Sequence, residues 1–124
     1  MMSRITNKYK KMENGNLNKS SLELFHWNKG PSFFHNKIDH VKNILDIHKP
    51  HIFSLSEANY IISRNNYDLR VDGYNIEWTD QKCNYDMSRQ VILIDNGLNY
   101  IRRNDLESTH DCTIWIEIKI KRQK

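Results

Sequence analysis

Two short apolar runs joined by one helical pattern constrain the fold of this chain more than any other feature. The first run covers residues 22–27 and the second covers residues 52–55. Between them, about residues 34–48 place apolar side chains at helical spacing with charged residues opposite. The segment Lys49-Pro50 ends this pattern, because a residue before proline disfavours helical backbone. Strand, helix and strand in this order predict a right-handed βαβ unit with parallel strands.

One amide and one carboxylate follow these two runs. Asn28 leaves the first predicted strand and Glu57 leaves the second. The carboxyl ends of parallel strands meet at one edge of a sheet, where ligands gather in open α/β sheets. Mg²⁺ typically takes one or two protein oxygens and completes its octahedron with water and phosphate oxygens. The pair therefore indicates a magnesium site for a phosphodiester, although Asn28 alone is typical of a turn and Glu57 alone of a structural carboxylate.

The remainder of the chain shows strand patterns. Residues 74–79 alternate weakly, and residues 91–94 are continuously apolar, as in a strand covered on both faces. Residues 95–97 (Asp-Asn-Gly) indicate a hairpin turn, with residues 98–103 as the return strand. Residues 114–120 alternate with a period of two. Together these patterns predict an α+β domain: one mostly β sheet of about five or six strands, with a βαβ start and one main helix.

The charge is distributed unevenly along the chain. The 124 residues carry a net formal charge of +4, with basic ends and an acidic middle. Composition predicts a disordered basic tail over residues 1–20, the folded domain over residues 21–120 and a basic C-terminal end over residues 121–124. The basic ends either solubilise frayed termini or hold nucleic acid phosphates.

Targeting signals are not apparent in the sequence. No apolar stretch resembles a signal peptide or reaches the roughly 20 residues of a membrane span. We therefore expect an intracellular protein, of cytoplasm or nucleus, with no membrane partner. Cys83 and Cys112 are then expected to be reduced, structural thiols.

Several blocks resemble the endonuclease/exonuclease/phosphatase superfamily (DNase I-like), and are most similar to the endonuclease domain of non-LTR (LINE-like) retrotransposons. The blocks, in family order, are residues 25–30 (FHWNKG), 48–52 (HKPHI), 55–59 (LSEAN), 88–94 (SRQVILI), 103–107 (RNDLE) and 114–118 (IWIEI). The likeness covers residues 22–120, which correspond to the N-terminal half of such a domain.

The resemblance implies a partial DNase I-like α/β sandwich and a hydrolase that cleaves DNA phosphodiester bonds with Mg²⁺ or Mn²⁺. It implies that Glu57 and Asn28 are catalytic and hold the metal, with Glu57 binding the ion and Asn28 positioning metal or phosphate. Lys29, Asn59 and Arg89 lie in matching blocks as candidate nucleic acid contacts.

The later part of the family's site has no counterpart in this sequence. The family's later tyrosine, Asp-x-Asn block and final Asp-His pair orient the nucleophile and supply the general base. Because catalytic groups act as a unit, we expect the truncated domain to be weakly active or inactive alone, so whether it is an enzyme stays open. Half of a two-sheet sandwich should also leave the face of residues 114–120, or the far side of residues 91–94, exposed.

Two other interpretations remain open. The chain is alternatively a non-catalytic relic that binds nucleic acid or a partner chain through its basic ends and an open sheet face. Self-association, or a completing chain, would then cover that face. A third interpretation is a fragment of a longer polyprotein.

Overall fold

The protein has a five-stranded sheet with a helix on one face and a small two-stranded sheet on the other. The computed structural model describes residues 2–7, 10–11, 17–18, 22–28, 37–61, 70–79, 87–108 and 113–119. In this part of the chain the α+β class, the βαβ start and the main helix are confirmed. No helix in the described ranges is long and apolar enough to cross a membrane.

The helices and strands are named in chain order. The strands are β1 (Met2–Asn7), β2 (Lys10–Lys11), β3 (Leu17–Asn18), β4 (Leu22–Asn28), β5 (Ile52–Ile61), β6 (Tyr74–Trp78), β7 (Met87–Asp95), β8 (Tyr100–Arg102) and β9 (Ile116–Ile118), and the helix is α1 (Ile38–His48). The large sheet has the order β1-β4-β5-β7-β6. Strands β4 and β5 are parallel, and the other neighbours are antiparallel.

The N-terminal segment departs from the predicted disordered tail. Strand β1 pairs with β4 over its whole length, from Met2 opposite Trp27 to Asn7 opposite Leu22, and β2 pairs with β3. In these described ranges the segment therefore forms paired strands. The physical reason is that β4 carries buried Leu22 and Phe25. Its outer edge would otherwise present unpaired backbone groups beside the core.

The helix α1 covers one face of the sheet. Its Val41 and Leu45 are buried, and Ile38 and Ile44 pack beside them. The buried sheet residues of this core cluster are Phe25, Phe53, Leu55, Val91 and Leu93. Burying a side chain of this size stabilises the fold by about 1.5–3 kcal/mol, so this layer holds β4, β5 and β7 together.

The helix ends where the sequence predicts, at His48. Lys49 adopts a left-handed conformation (φ 45°) and donates its N–H to the Leu45 carbonyl at 2.9 Å. The buried Pro50 follows, so the helix cannot continue. The described helix begins at Ile38; the predicted first turn, residues 34–36, lies outside the described residues.

The sequence predicts that residues 98–103 return alongside β7 as a hairpin after the turn at residues 95–97. This prediction is wrong. The turn itself forms, since the Leu98 N–H donates to the Asp95 carbonyl at 2.9 Å. However, β7 is already paired on both sides, by β5 and β6, and has no free edge. Leu98 is buried in a second apolar cluster with Ile52 and Ile94, and β8 crosses to the other layer to pair with β9.

This second layer also changes the expectation of an exposed sheet face. Ile116 and Ile118 of β9 are half-buried against the second cluster, and Ile94 on the far side of β7 is fully buried. The small sheet therefore covers the face that half a sandwich was expected to leave open. The exposed large apolar side chains of the small sheet, Ile101 and Trp115, lie instead on its outer side.

Candidate functional site

The backbones of the two residues predicted to bind metal, Asn28 and Glu57, lie on the neighbouring strands β4 and β5, one register position apart. Asn28 is the exposed last residue of β4, and its register partner in β5 is Ser56. Neighbouring strands lie about 4.8 Å apart, and Glu57 directly follows Ser56. One detail differs from the prediction, because β5 does not end before Glu57 but runs on to Ile61.

A bulge in β5 begins directly after Ser56. Ser56 is opposite Gln90 and Tyr60 is opposite Ser88, so the register shifts between these pairs. Residues 57–59 of β5 therefore stand opposite Arg89 alone. Bulges of this kind end regular pairing and re-aim side chains, and they are over-represented beside active sites.

The bulge brings together the backbones of most of the residues that the family resemblance predicts as site residues. The backbones of Glu57 and Asn59 are on the bulged strand, that of Arg89 is on the strand opposite, and Asn28 is on the strand at the other side. For Glu57, Asn59 and Arg89 the placement is that of the backbone. The fifth predicted site residue, Lys29, lies outside the described residues.

A polar cluster continues from this edge into the sheet. The His26 ring lies with Nδ1 3.1 Å from Ser54 Oγ and Nε2 3.4 Å from Ser56 Oγ. All three side chains are half-buried. His26 and Asn28 are two residues apart on one strand and so share a face of the sheet. A neutral imidazole accepts through one nitrogen and donates through the other, so this ring holds both serine hydroxyls in place.

The opposite face of the same strands is apolar. Trp27 packs against the core cluster beneath α1, with its ring centroid 5.0 Å from that of His40. Each strand therefore alternates, with polar His26, Ser54 and Ser56 on one face and core residues on the other. Trp27 is thus a partly buried residue on the core side of the sheet.

The donors at this edge suit a hard divalent cation. Amide, hydroxyl and carboxylate oxygens are the ligands of Mg²⁺ and Mn²⁺, and Asn28, Ser56 and Glu57 carry one of each in neighbouring positions. Among the side chains that the structure describes, no three His, Cys, Asp or Glu form a metal-binding group. The Glu57 carboxylate is not among those side chains, so the fit depends on the backbone placement and on donor chemistry.

Two arginines at the end of β8 are held by carboxylates. Arg102 donates from Nε and Nη2 to the two oxygens of Glu107, at 2.9 and 2.8 Å. Arg103 pairs in the same forked way with Asp105, and its hydrogen bonds lower the pKa of that carboxyl. Glu117 accepts a further bond from Arg103 at 2.9 Å. These guanidinium groups are therefore engaged within the protein rather than directed toward the β4–β5 edge.

Comparisons of the chain with protein family models, with curated proteins and with solved structures found no match. The superfamily resemblance thus stays a prediction from sequence blocks.

Proposed function

We propose that this chain is a partial Mg²⁺- or Mn²⁺-dependent endonuclease-like domain of the retrotransposon type, a phosphodiesterase by class, with DNA as its target. The observation that carries the proposal is the bulge of residues 57–59, which lies opposite Arg89 and beside Asn28. Glu57 and Asn28 would hold the ion. Lys29, Asn59 and Arg89 supply candidate phosphate contacts.

A bound ion would polarise a phosphoryl oxygen and stabilise the charge that develops when water attacks phosphorus. The contribution of this chain is to position oxygen donors. The Asn28 amide stands at the end of a strand buried on its core side, and the His26 contacts fix the Ser56 hydroxyl beside it. Such positioning lowers the entropy cost of binding metal and phosphate together.

Turnover by the isolated chain should be low. The family's groups that orient the nucleophile and accept its proton have no counterpart in the sequence. Without them, metal and phosphate binding supply only part of the transition-state stabilisation. We therefore propose a metal-dependent DNA-binding edge with weak or absent cleavage.

The charge distribution favours a second candidate. Lysines are concentrated toward both ends of the sequence. In this alternative the domain is a non-catalytic relic that holds nucleic acid phosphates through its ends, or binds a partner chain. Such binding would fall steeply with salt and would not depend on a metal ion.

Fluorescence anisotropy of a labelled DNA duplex separates the two candidates. Wild-type protein is titrated with Mg²⁺ or with EDTA, beside Glu57→Gln and a control, Asp39→Asn, that removes an exposed carboxylate from α1. The metal-edge proposal predicts that Mg²⁺ tightens binding by wild type and Asp39→Asn but not by Glu57→Gln. Binding that is equal in all three proteins, the same in Mg²⁺ and in EDTA, and strongly salt-dependent would support the relic.

Nicking of supercoiled plasmid by the same three proteins tests the expectation of low turnover. We expect little or no nicking by any of them. Robust nicking that requires both Mg²⁺ and Glu57 would show that the expectation of low activity is wrong while the site itself is correct. Nicking that persists in Glu57→Gln would place any catalysis elsewhere.

A further inference from the structure

We propose that β9 pairs with β9 of a second copy of this chain across a two-fold axis, which extends the small sheet to a four-stranded one. This inference is independent of the proposed function. It comes from the hydrogen-bond pattern of β8 and β9 and from the charges that flank Ile118.

The hydrogen-bond pattern shows which backbone groups of β9 are directed away from β8. The Lys119 N–H donates to the Asn99 carbonyl at 3.0 Å, and the Arg103 N–H donates to the Trp115 carbonyl at 2.7 Å. In an antiparallel ladder, hydrogen-bonded pairs alternate with non-bonded pairs. The intervening residue Glu117 therefore also bonds toward β8. The N–H and C=O groups of Ile116 and Ile118 point to the outer edge of β9.

This outer edge is unpaired among the described residues. The small sheet there consists of β8 and β9 alone. Two strands are marginal by themselves, and an open edge is a template for another strand. The side chains of Ile116 and Ile118 pack into the second apolar cluster, so the inner face of the strand is held against the domain, while no strand of the described ranges pairs with its outer edge.

Charge complementarity selects a second copy as the occupant. A two-fold axis through Ile118 places Glu117 opposite Lys119 of the second copy, and Lys119 opposite its Glu117. Both side chains are exposed on the outer face of the small sheet. Opposite charges directly across a strand pair stabilise it, whereas like charges oppose it. An axis through Glu117 would oppose the two Glu117 carboxylates, so the axis through Ile118 is favoured.

The register also satisfies the backbone. The outward N–H and C=O of each Ile118 meet those of its copy, as a hydrogen-bonded antiparallel pair requires. An isologous contact of this kind is self-complementary, as two-fold dimers require. Trp115, half exposed on the same outer face, adds an aromatic side chain of the type that is enriched at interfaces.

Sedimentation velocity with two complementary charge variants tests the proposal. In a dimer of Lys119→Glu, the carboxylates at positions 117 and 119 would oppose each other across the interface. In a dimer of Glu117→Lys, the ammonium groups at the same two positions would oppose each other. The wild-type mass should rise with concentration from 14.9 kDa toward about twice that value. Each variant alone should stay monomeric, and an equimolar mixture should form a one-to-one dimer. The control Lys42→Glu, an exposed charge reversal on α1, should dimerise like wild type.

Three results would overturn the proposal. One is a wild-type mass that stays at the monomer value at every concentration. Another is a dimer that Lys119→Glu leaves unchanged, which would assign the contact to a different surface. The third is a mixture of the two variants that remains monomeric, because that would exclude the register through Ile118.

Discussion

Asn28, the last residue of β4, is the register partner of Ser56, the last regularly paired residue of β5 before its bulge. The pairing sets an exposed amide beside a hydroxyl that His26 contacts at 3.4 Å. The candidate site therefore lies on two parallel strands and not on a loop. Its geometry is determined by the packing of the sheet.

The serine hydroxyls should be energetically coupled through His26. Ser56→Ala and Ser54→Ala each remove one partner of the same half-buried ring. Each should cost about 1 kcal/mol of unfolding free energy in urea denaturation. Because both serines contact His26, the loss of unfolding free energy in the double variant should differ measurably from the sum of the two single losses. Strict additivity would show that the ring does not link the two hydroxyls.

Truncation on the buried side of α1 should destabilise the fold strongly. Leu45→Ala removes a side chain that is 3% exposed and should lower the unfolding free energy by about 2–5 kcal/mol. Ile47→Ala is the matched control on the same helix, since Ile47 is 66% exposed. Its effect should stay within about 0.5 kcal/mol. Similar losses for both variants would contradict the docking of α1 on the sheet.

The Arg102 network should stabilise the contact between the two layers. Arg102 donates to Glu107 and, at 2.7 Å, to the Trp78 carbonyl, and Glu77 lies 3.5 Å away. Arg102→Met should lower the unfolding free energy by about 1–2 kcal/mol, after allowance for partial exposure of the group. Arg103→Met, which removes an exposed forked pair, is the control and should change stability little. A larger loss of stability in Arg103→Met than in Arg102→Met would contradict the stabilising role assigned to Arg102.

Stability should fall at alkaline pH because two tyrosine hydroxyls are held neutral in the fold. Burial, with nearby carboxylates, raises the pKa of Tyr74 well above its usual value, and burial together with Glu77 raises the pKa of Tyr100 to about 12. A raised pKa means that the stabilisation is complete below the unfolded value of 10.0 and is lost as pH rises through 12. Ionisation also removes the 2.7 Å hydrogen bond from Tyr74 to Pro50.

Urea unfolding between pH 9 and pH 12 measures this loss, which spans the unfolded and folded values for Tyr100. The unfolding free energy of wild type should decline across that interval. Tyr74→Phe and Tyr100→Phe should each start lower and decline less steeply. A decline of equal slope in all three proteins would mean that other groups determine the alkaline limit.

Local periodicity was enough to predict the βαβ start. The apolar spacing of α1, the proline after Lys49 and the two apolar runs each specify their own structure through neighbours in sequence. The same pattern predicted that Asn28 and Glu57 leave neighbouring strands, and the register places Asn28 opposite Ser56, the residue before Glu57. The alternation of residues 114–119 also appears in the structure, with Ile116 and Ile118 inward and Glu117 outward.

Long-range pairing was not predictable from such patterns. The polar β1 gives no strand signal of its own, and its structure depends on the free edge of β4. The turn at residues 95–97 looks like a hairpin, but β7 has no edge left to accept a return strand. The placement of β8 is decided by the burial of Leu98 in the second cluster.

The bulge and the His26 cluster could not be predicted for a related reason. A bulge appears only when the registers of two strands are compared, and Ser56–Gln90 and Tyr60–Ser88 are far apart in sequence. The alternation of His26 with core residues in β4, and of Ser54 and Ser56 in β5, was the available signal for a polar stripe. It becomes meaningful once the two strands are known to be paired at that register.

Binding of Mn²⁺ observed by NMR tests the proposed metal edge most directly. In wild type, Mn²⁺ should broaden the amide signals of residues 28 and 56–57 first, while the signal of Leu45 in α1 remains sharp. Glu57→Gln and Asn28→Ala should each weaken this broadening about tenfold, and Asp39→Asn should not. Uniform broadening, or broadening that is the same in all four proteins, would show that Asn28 and Glu57 do not form a metal site.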